Sequence, residues 1–329
     1  MCRRSLLLLA AFLAAFLAAS GAASGATLRG AVEDGTGFGI RGEAPVRLVC
    51  MSGGEWVAGD GRSGFRFDGL PEGAENPFIL HAEYLGVLYR LPLVLGAGAD
   101  TTAAIAVYDT TRSGEALVVA ELEIRLVREE GRLRIDQIYR VENRSDPPRT
   151  AIDPGRGVFA ARLPLPAAEA NDLSVAASDG VVPERLDPLP GAEADEVRVD
   201  HAFRPGFNAV AVTYDALYPG SFDFRIFVPY PIGRLLLVAP AGAEVEGAGL
   251  ERAHMGGRGP AVWFREELAP GGEIRFTIQG GEAAPEEAGG DVGLGPFPFE
   301  ERAPLIVVLA AAVLLGTLAA ALLRPGRGR

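Results

Sequence analysis

Three histidines, one cysteine beyond the N-terminal leader and a scatter of loop carboxylates are the groups in this chain whose types suit chemistry. Imidazoles commonly hold zinc or copper. His81 and Glu83 share one face of a strand expected over 78–84, Asp200-His201 opens another strand, and His254-Met255 stands in a Gly-rich loop. No H-x-x-E, H-E-x-x-H or C-x-x-C occurs, so spacing supplies no zinc site. Asp34, Asp60 and Asp68 fall at turns, where carboxylates can gather calcium, but without EF-hand spacing. There is no G-x-S-x-G elbow. All 31 basic residues are Arg. The absence of Lys removes Lys nucleophiles, Schiff bases and P-loop chemistry. The expectation is a non-enzymatic chain with no cofactor and no metal.

Binding is the remaining chemistry. Trp56, Tyr84, Tyr89, Tyr108 and Trp263 are the candidate ligand-binding residues, because aromatic faces stack on sugar rings and anchor protein partners. Core and edge packing explains the same rings without a ligand. Cys50 ends the apolar run 46–50 and is expected as a buried thiol with no intramolecular disulfide partner. Asn143-Arg144-Ser145 fits a glycosylation sequon, which a bacterial source would leave idle.

The elements that must position these groups follow from periodicity. Residues 27–111 read as about seven short strands parted by Gly-rich turns at 35–37, 52–54 and 59–61. Gly30-x-Val32-x-Asp34, Gly42-x-Ala44-Pro45-Val46-x-Leu48, and Gly64, Phe65 and Phe67 followed by Asp68-Gly69-Leu70-Pro71-x-Gly73 mark this stretch. It resembles the carboxypeptidase regulatory-like domain, a small transthyretin-like sandwich related to Cna-B modules. Ala74-Glu75-Asn76-Pro77 lengthens one turn relative to that pattern. The resemblance implies a β-sandwich and, loosely, a binding or spacer role.

Residues 112–280 form a second β-rich region of about ten strands, expected as another sandwich. Its clearest signal is a hairpin, 118–127 and 133–141, alternating around Glu129-Glu130-Gly131. Residues 281–302 are rich in Gly, Pro and Glu and read as an acidic linker.

Both ends speak of a membrane. Residues 1–26 have a short basic start, an apolar stretch over 6–19 and small residues at 24 and 26, the pattern of a signal peptide cleaved before Thr27. Residues 303–323 carry no charge and one hydroxyl, Thr317. As a helix they would span roughly 30 Å, the thickness of a bilayer core. Glu300 and Glu301 precede this stretch, and the tail 324–329 carries Arg324, Arg327 and Arg329, a cytoplasmic signature. The same shape also fits a cleavable C-terminal sorting signal, although no Pro-Glu-Pro or Gly-Gly motif abuts it.

The fold expectation is therefore all-β: two tandem β-sandwich domains plus one C-terminal transmembrane helix. Arg in place of Lys, with abundant Ala and Gly, suggests a GC-rich bacterial source. The expected location is the bacterial inner (cytoplasmic) membrane, single-pass, with the ectodomain outside. Residues 27–302 hold all 43 acidic residues against 26 Arg, a net charge of −17 that repels nucleic acid. The expected partners are the bilayer and a protein of the envelope, with a glycan as the alternative.

Arg at a helix centre costs about 2.5–3.5 kcal/mol on insertion scales. Val313→Arg is expected to release the ectodomain into the soluble extracytoplasmic fraction, read by immunoblot after fractionation; unchanged membrane retention would count against a spanning helix.

Overall fold

The computed structural model describes residues 25–71, 76–96, 98–253 and 260–283. Residues 1–24 of the expected signal peptide, the expected span over 303–323, most of the expected linker and His254 lie outside the described residues. The described chain is all-β, as expected. Its only helices are two three-residue 3₁₀ turns, so among the described residues no helix is long and apolar enough to cross a membrane.

Seven strands build the N-terminal unit: β1 (Ala26–Asp34), β2 (Pro45–Cys50), β3 (Glu55–Asp60), β4 (Phe65–Leu70), β5 (Pro77–Tyr84), β6 (Val87–Val94) and β7 (Asp100–Val107). They form a three-stranded sheet, β4-β1-β7, and a four-stranded sheet, β3-β2-β5-β6. Alternate residues of both sheets point inward: Leu28 and Val32, Phe65 and Phe67, Ile105 and Val107 from one, Leu48, Phe78, Leu80 and Tyr89 from the other. Cys50 is buried among them at 2% exposure. β1 runs antiparallel to β4 and parallel to β7. Gly30 is demanded by close approach, since a Cβ there would stand 1.7 Å from the carbonyl oxygen of Ala103. β3 lies between two glycine clusters that the sequence presents only as turns.

β8 (Thr110–Thr111) follows β7 on the connection out of the N-terminal unit, and the remaining strands are β9 (Leu117–Glu129), β10 (Arg132–Asn143), β11 (Thr150–Ala151), β12 (Phe159–Arg162), β13 (Asn171–Ser178), β14 (Pro183–Leu186), β15 (Leu189–Pro190) and β16 (Glu196–Val199). After them come β17 (Gly206–Leu217), β18 (Ser221–Val228), β19 (Ile232–Ala239), β20 (Ala243–Gly247), β21 (Glu251–Arg252), β22 (Ala261–Leu268) and β23 (Gly272–Gly280). An eight-stranded sheet, β14-β13-β17-β10-β9-β19-β22-β21, dominates this C-terminal unit. The expected hairpin is its centre: β9 and β10 pair antiparallel from Glu129↔Arg132 onward, turning at Glu130-Gly131 with φ +69° at Gly131. Two three-stranded sheets, β12-β16-β15 and β18-β23-β20, contribute the rest of the core. Phe159 stacks on Tyr230 at 4.8 Å and Phe224 on Phe276 at 4.6 Å between ring centroids.

Phe67 is 4% exposed and its ring lies 5.7 Å from that of Phe65. Phe67→Ala is expected to destabilise the N-terminal unit by about 3–5 kcal/mol. A thermal melt that moves by less than a couple of degrees would show that the ring carries no such load.

Candidate functional site

The densest buried charge in the described chain lies where the two units meet. On β6, alternation sends Tyr89 into the N-terminal core and leaves Leu88 and Arg90 facing out. The C-terminal unit answers with the turn after β13. There Asp179 accepts hydrogen bonds from the amides of Val181 (3.0 Å) and Val182 (3.4 Å), an Asx turn that fixes its carboxylate. That carboxylate is 1% exposed and pairs with Arg90 at 3.1 Å and with Arg204. Arg90 also pairs with Glu184. Arg204 crosses back, donating to the Leu88 carbonyl at 3.0 Å and lying 5.4 Å over the Tyr89 ring.

Backbone pairing surrounds this cluster. β8 and β11 form a short parallel ladder, with Thr150 N–H donating to Asp109 O at 2.9 Å and Ile152 N–H to Thr111 O at 2.8 Å. The Tyr89 hydroxyl donates to Tyr108 O at 3.0 Å and meets the Thr150 hydroxyl at 2.8 Å. The Thr36 hydroxyl donates to Pro148 O at 3.0 Å. Asn143, 3% exposed, donates to the carbonyls of Arg149 and Phe203. The sequon asparagine is thus a buried structural amide.

Both described histidines border the cluster. His81 sits half-buried in a cross-strand row, Arg47↔His81↔Arg90. Burial, then Arg90 and Arg47, lower its affinity for a proton. His201 is 8% exposed, packs edge-on against Phe203 at 5.1 Å, and has no partner for Nε2. Burial pushes its pKa down to about 4, and Arg90 adds to the effect while Glu184 and Asp200 oppose it.

The aromatic candidates are placed differently from an open platform. Tyr84, Tyr89 and Trp263 are 3%, 2% and 6% exposed. The Tyr84 hydroxyl donates to Asp109 at 3.1 Å. Trp263 belongs to the C-terminal core, with Arg252 lying over its ring. Trp56 and Tyr108 are partly buried, packed against Phe78 and Tyr89. The structure does bring Tyr89 and Tyr108 together at 6.0 Å, but as packed rings, with Tyr89 reaching Thr150 and Arg204 of the other unit. Burial is the physical reason: each ring saves more by leaving water than by waiting for a ligand.

The loop carboxylates are engaged in turns. Asp34 accepts from the amides of Thr36 and Gly39, Asp60 from Ala44 and Arg62, and Asp68 from Arg66 and Thr27. Among the described residues no group of three or more His, Cys, Asp or Glu is arranged to hold a metal ion. Asp136 escaped sequence reasoning. It is 1% exposed, with Oδ1 accepting from Thr213 at 2.9 Å and Oδ2 unpartnered, and burial raises its pKa. A cavity of about 360 Å³ opens between the ends of β9 and β19, lined by Val127, Val238, Pro240 and Pro260 with Arg125 and Arg128 at its rim. The four-charge cluster is self-neutralising, so its chemistry is holding rather than turning over.

No family model matches the chain, and no curated protein is similar to it. Among solved structures it is similar to an M1 zinc metallopeptidase from Deinococcus radiodurans bound to a Tyr-Ser-Ala substrate, at 14% identity and a TM-score of 0.32. A two-domain M1 zinc metallopeptidase bound to L-tryptophan gives 14% and 0.31. Each match covers 51% of this chain and 44% of the other. The chain thus spans under half the length of these structures, and likeness at this level carries no argument about function.

Removing one partner from a buried ion pair costs about 3–5 kcal/mol, against up to about 1 kcal/mol for an exposed pair. Asp179→Ala is therefore expected to lower the urea midpoint far more than Arg29→Ala, whose pair with Asp100 is about half exposed. Equal midpoints for the two variants would remove the cluster's structural role.

Proposed function

We propose that this chain is a non-enzymatic, membrane-anchored envelope protein whose ectodomain binds or scaffolds a protein partner. On this reading the ectodomain is two tandem β-sandwich domains, the first of the carboxypeptidase regulatory-like kind. The apolar stretch over 303–323 crosses the bacterial inner membrane once, and the Arg-bearing tail is cytoplasmic. The observation that carries the proposal is the joint. A carboxylate at 1% exposure, two Arg and a strand ladder are spent on holding two β units in one orientation. Such a joint suits a part that presents surfaces at a set distance and angle. The acidic surface supports a protein partner over nucleic acid.

Reporter fusions after Arg329 test the topology. Green fluorescent protein is expected to be bright there and alkaline phosphatase inactive; active phosphatase would put the tail outside and overturn the anchoring. Crosslinking in intact cells, followed by purification from solubilised membranes at native expression, is expected to recover a stoichiometric envelope protein. Recovery of nothing above background would count against scaffolding.

A further inference from the structure

His201 stands on the segment that links β16 to β17, pressed between the two units. Its neighbour Ala202 packs against the N-terminal core, while Phe203 belongs to the C-terminal one. The ring is thus placed to sense the joint. Its Nε2 is buried and has no hydrogen-bond partner among the described residues. The charges around it come from both units: Arg90 from β6, Glu184 from β14, and Asp200 from its own segment. Glu184 is engaged by Arg90, and Asp200 accepts from the Gly155 amide at 2.8 Å. Both acids favour a charged ring through space, but neither hydrogen-bonds Nε2. His81, from β5, is faced by Arg47, Arg90, Glu55 and Arg204 and adds a second imidazole with the same bias.

We propose that the joint is an acid-sensitive latch, closed while His201 is neutral and opened when that ring takes a proton. A proton on Nε2 places a cation in buried packing beside Arg90, with no hydrogen-bond acceptor for Nε2 in the closed arrangement. Parting of the units lets water reach the imidazolium and lets the Arg90 and Arg204 guanidiniums hydrate. The sign follows from linkage. The closed state holds the ring at a pKa of about 4, whereas a solvated imidazole titrates near 6.5. The contribution of the neutral ring to closure is full above about pH 6.5. It weakens as pH falls toward 4, roughly tenfold per unit and about 300-fold in all. His81 steepens the same trend.

Hydrogen exchange on the full chain in detergent tests this, corrected for intrinsic exchange at each pH. The probes are the Thr150 and Ile152 amides, which donate across the joint. Core amides in β2 and β10, at Leu48 and Ile135, serve as controls. Protection of Thr150 and Ile152 is expected to fall by about 30-fold between pH 7.5 and 5, with the control amides unchanged. His201→Phe should abolish most of that fall; if it does not fold, His201→Asn serves, since neither side chain titrates there. Constant protection across the range would overturn the proposal. So would an equal fall in the non-titrating variant, or simultaneous loss at the control amides, which would mean global acid unfolding.

Discussion

A single buried carboxylate, Asp179, sets the geometry of the joint between the two units. At 1% exposure it has given up its hydration, a loss worth several kcal/mol unless positive charge and hydrogen bonds replace it. Arg90 supplies that from one unit, Arg204 from the other, and two backbone amides complete the shell. Arg204 also donates to Leu88 and covers Tyr89, and the departure of either guanidinium would strip Asp179 of one of its two cations. The joint therefore has one well-satisfied arrangement and many poor ones. Hydrophobic contact alone would allow sliding; directional charge pairs do not.

The cores on either side are simpler. Each depends on period-two alternation between sheet faces, with the polar exceptions paired internally. Tyr139 donates to Gln137 at 2.5 Å and Gln137 to Tyr214 at 2.8 Å, a closed chain inside the C-terminal core. Asp136, on the opposite face of the same strand, is an exception: one oxygen lacks a partner, and burial raises its affinity for a proton.

The all-β class and the β9–β10 hairpin were legible because Leu122, Ile124 and Leu126 alternate with charged residues and answer Leu133 and Ile135 across Glu130-Gly131. β3 was hidden because Gly53-Gly54 and Gly59-Asp60-Gly61 advertise turns on both sides of Glu55-Trp56-Val57-Ala58, of which only Trp56 and Val57 favour a strand. The joint was illegible for a different reason. Arg90 looks like any outward residue of an alternating strand, and Ser178-Asp179-Gly180 looks like any turn. Their meeting spans 89 residues of sequence and depends on how two finished folds dock. Trp263, flanked by Val262 and Phe264, gave no sign of which face it would take.

The placement of β1 has a consequence for biosynthesis. This first strand lies between β4 and β7, and its parallel partner ends at Val107. A chain that emerges N-terminus first must therefore carry β1 unpaired on one edge until roughly a hundred residues have appeared. Through that interval Leu28, Phe67 and the Cys50 thiol lack their final cover. The finished unit hides every one of those groups, so burial of its core waits on the last strand of the N-terminal unit.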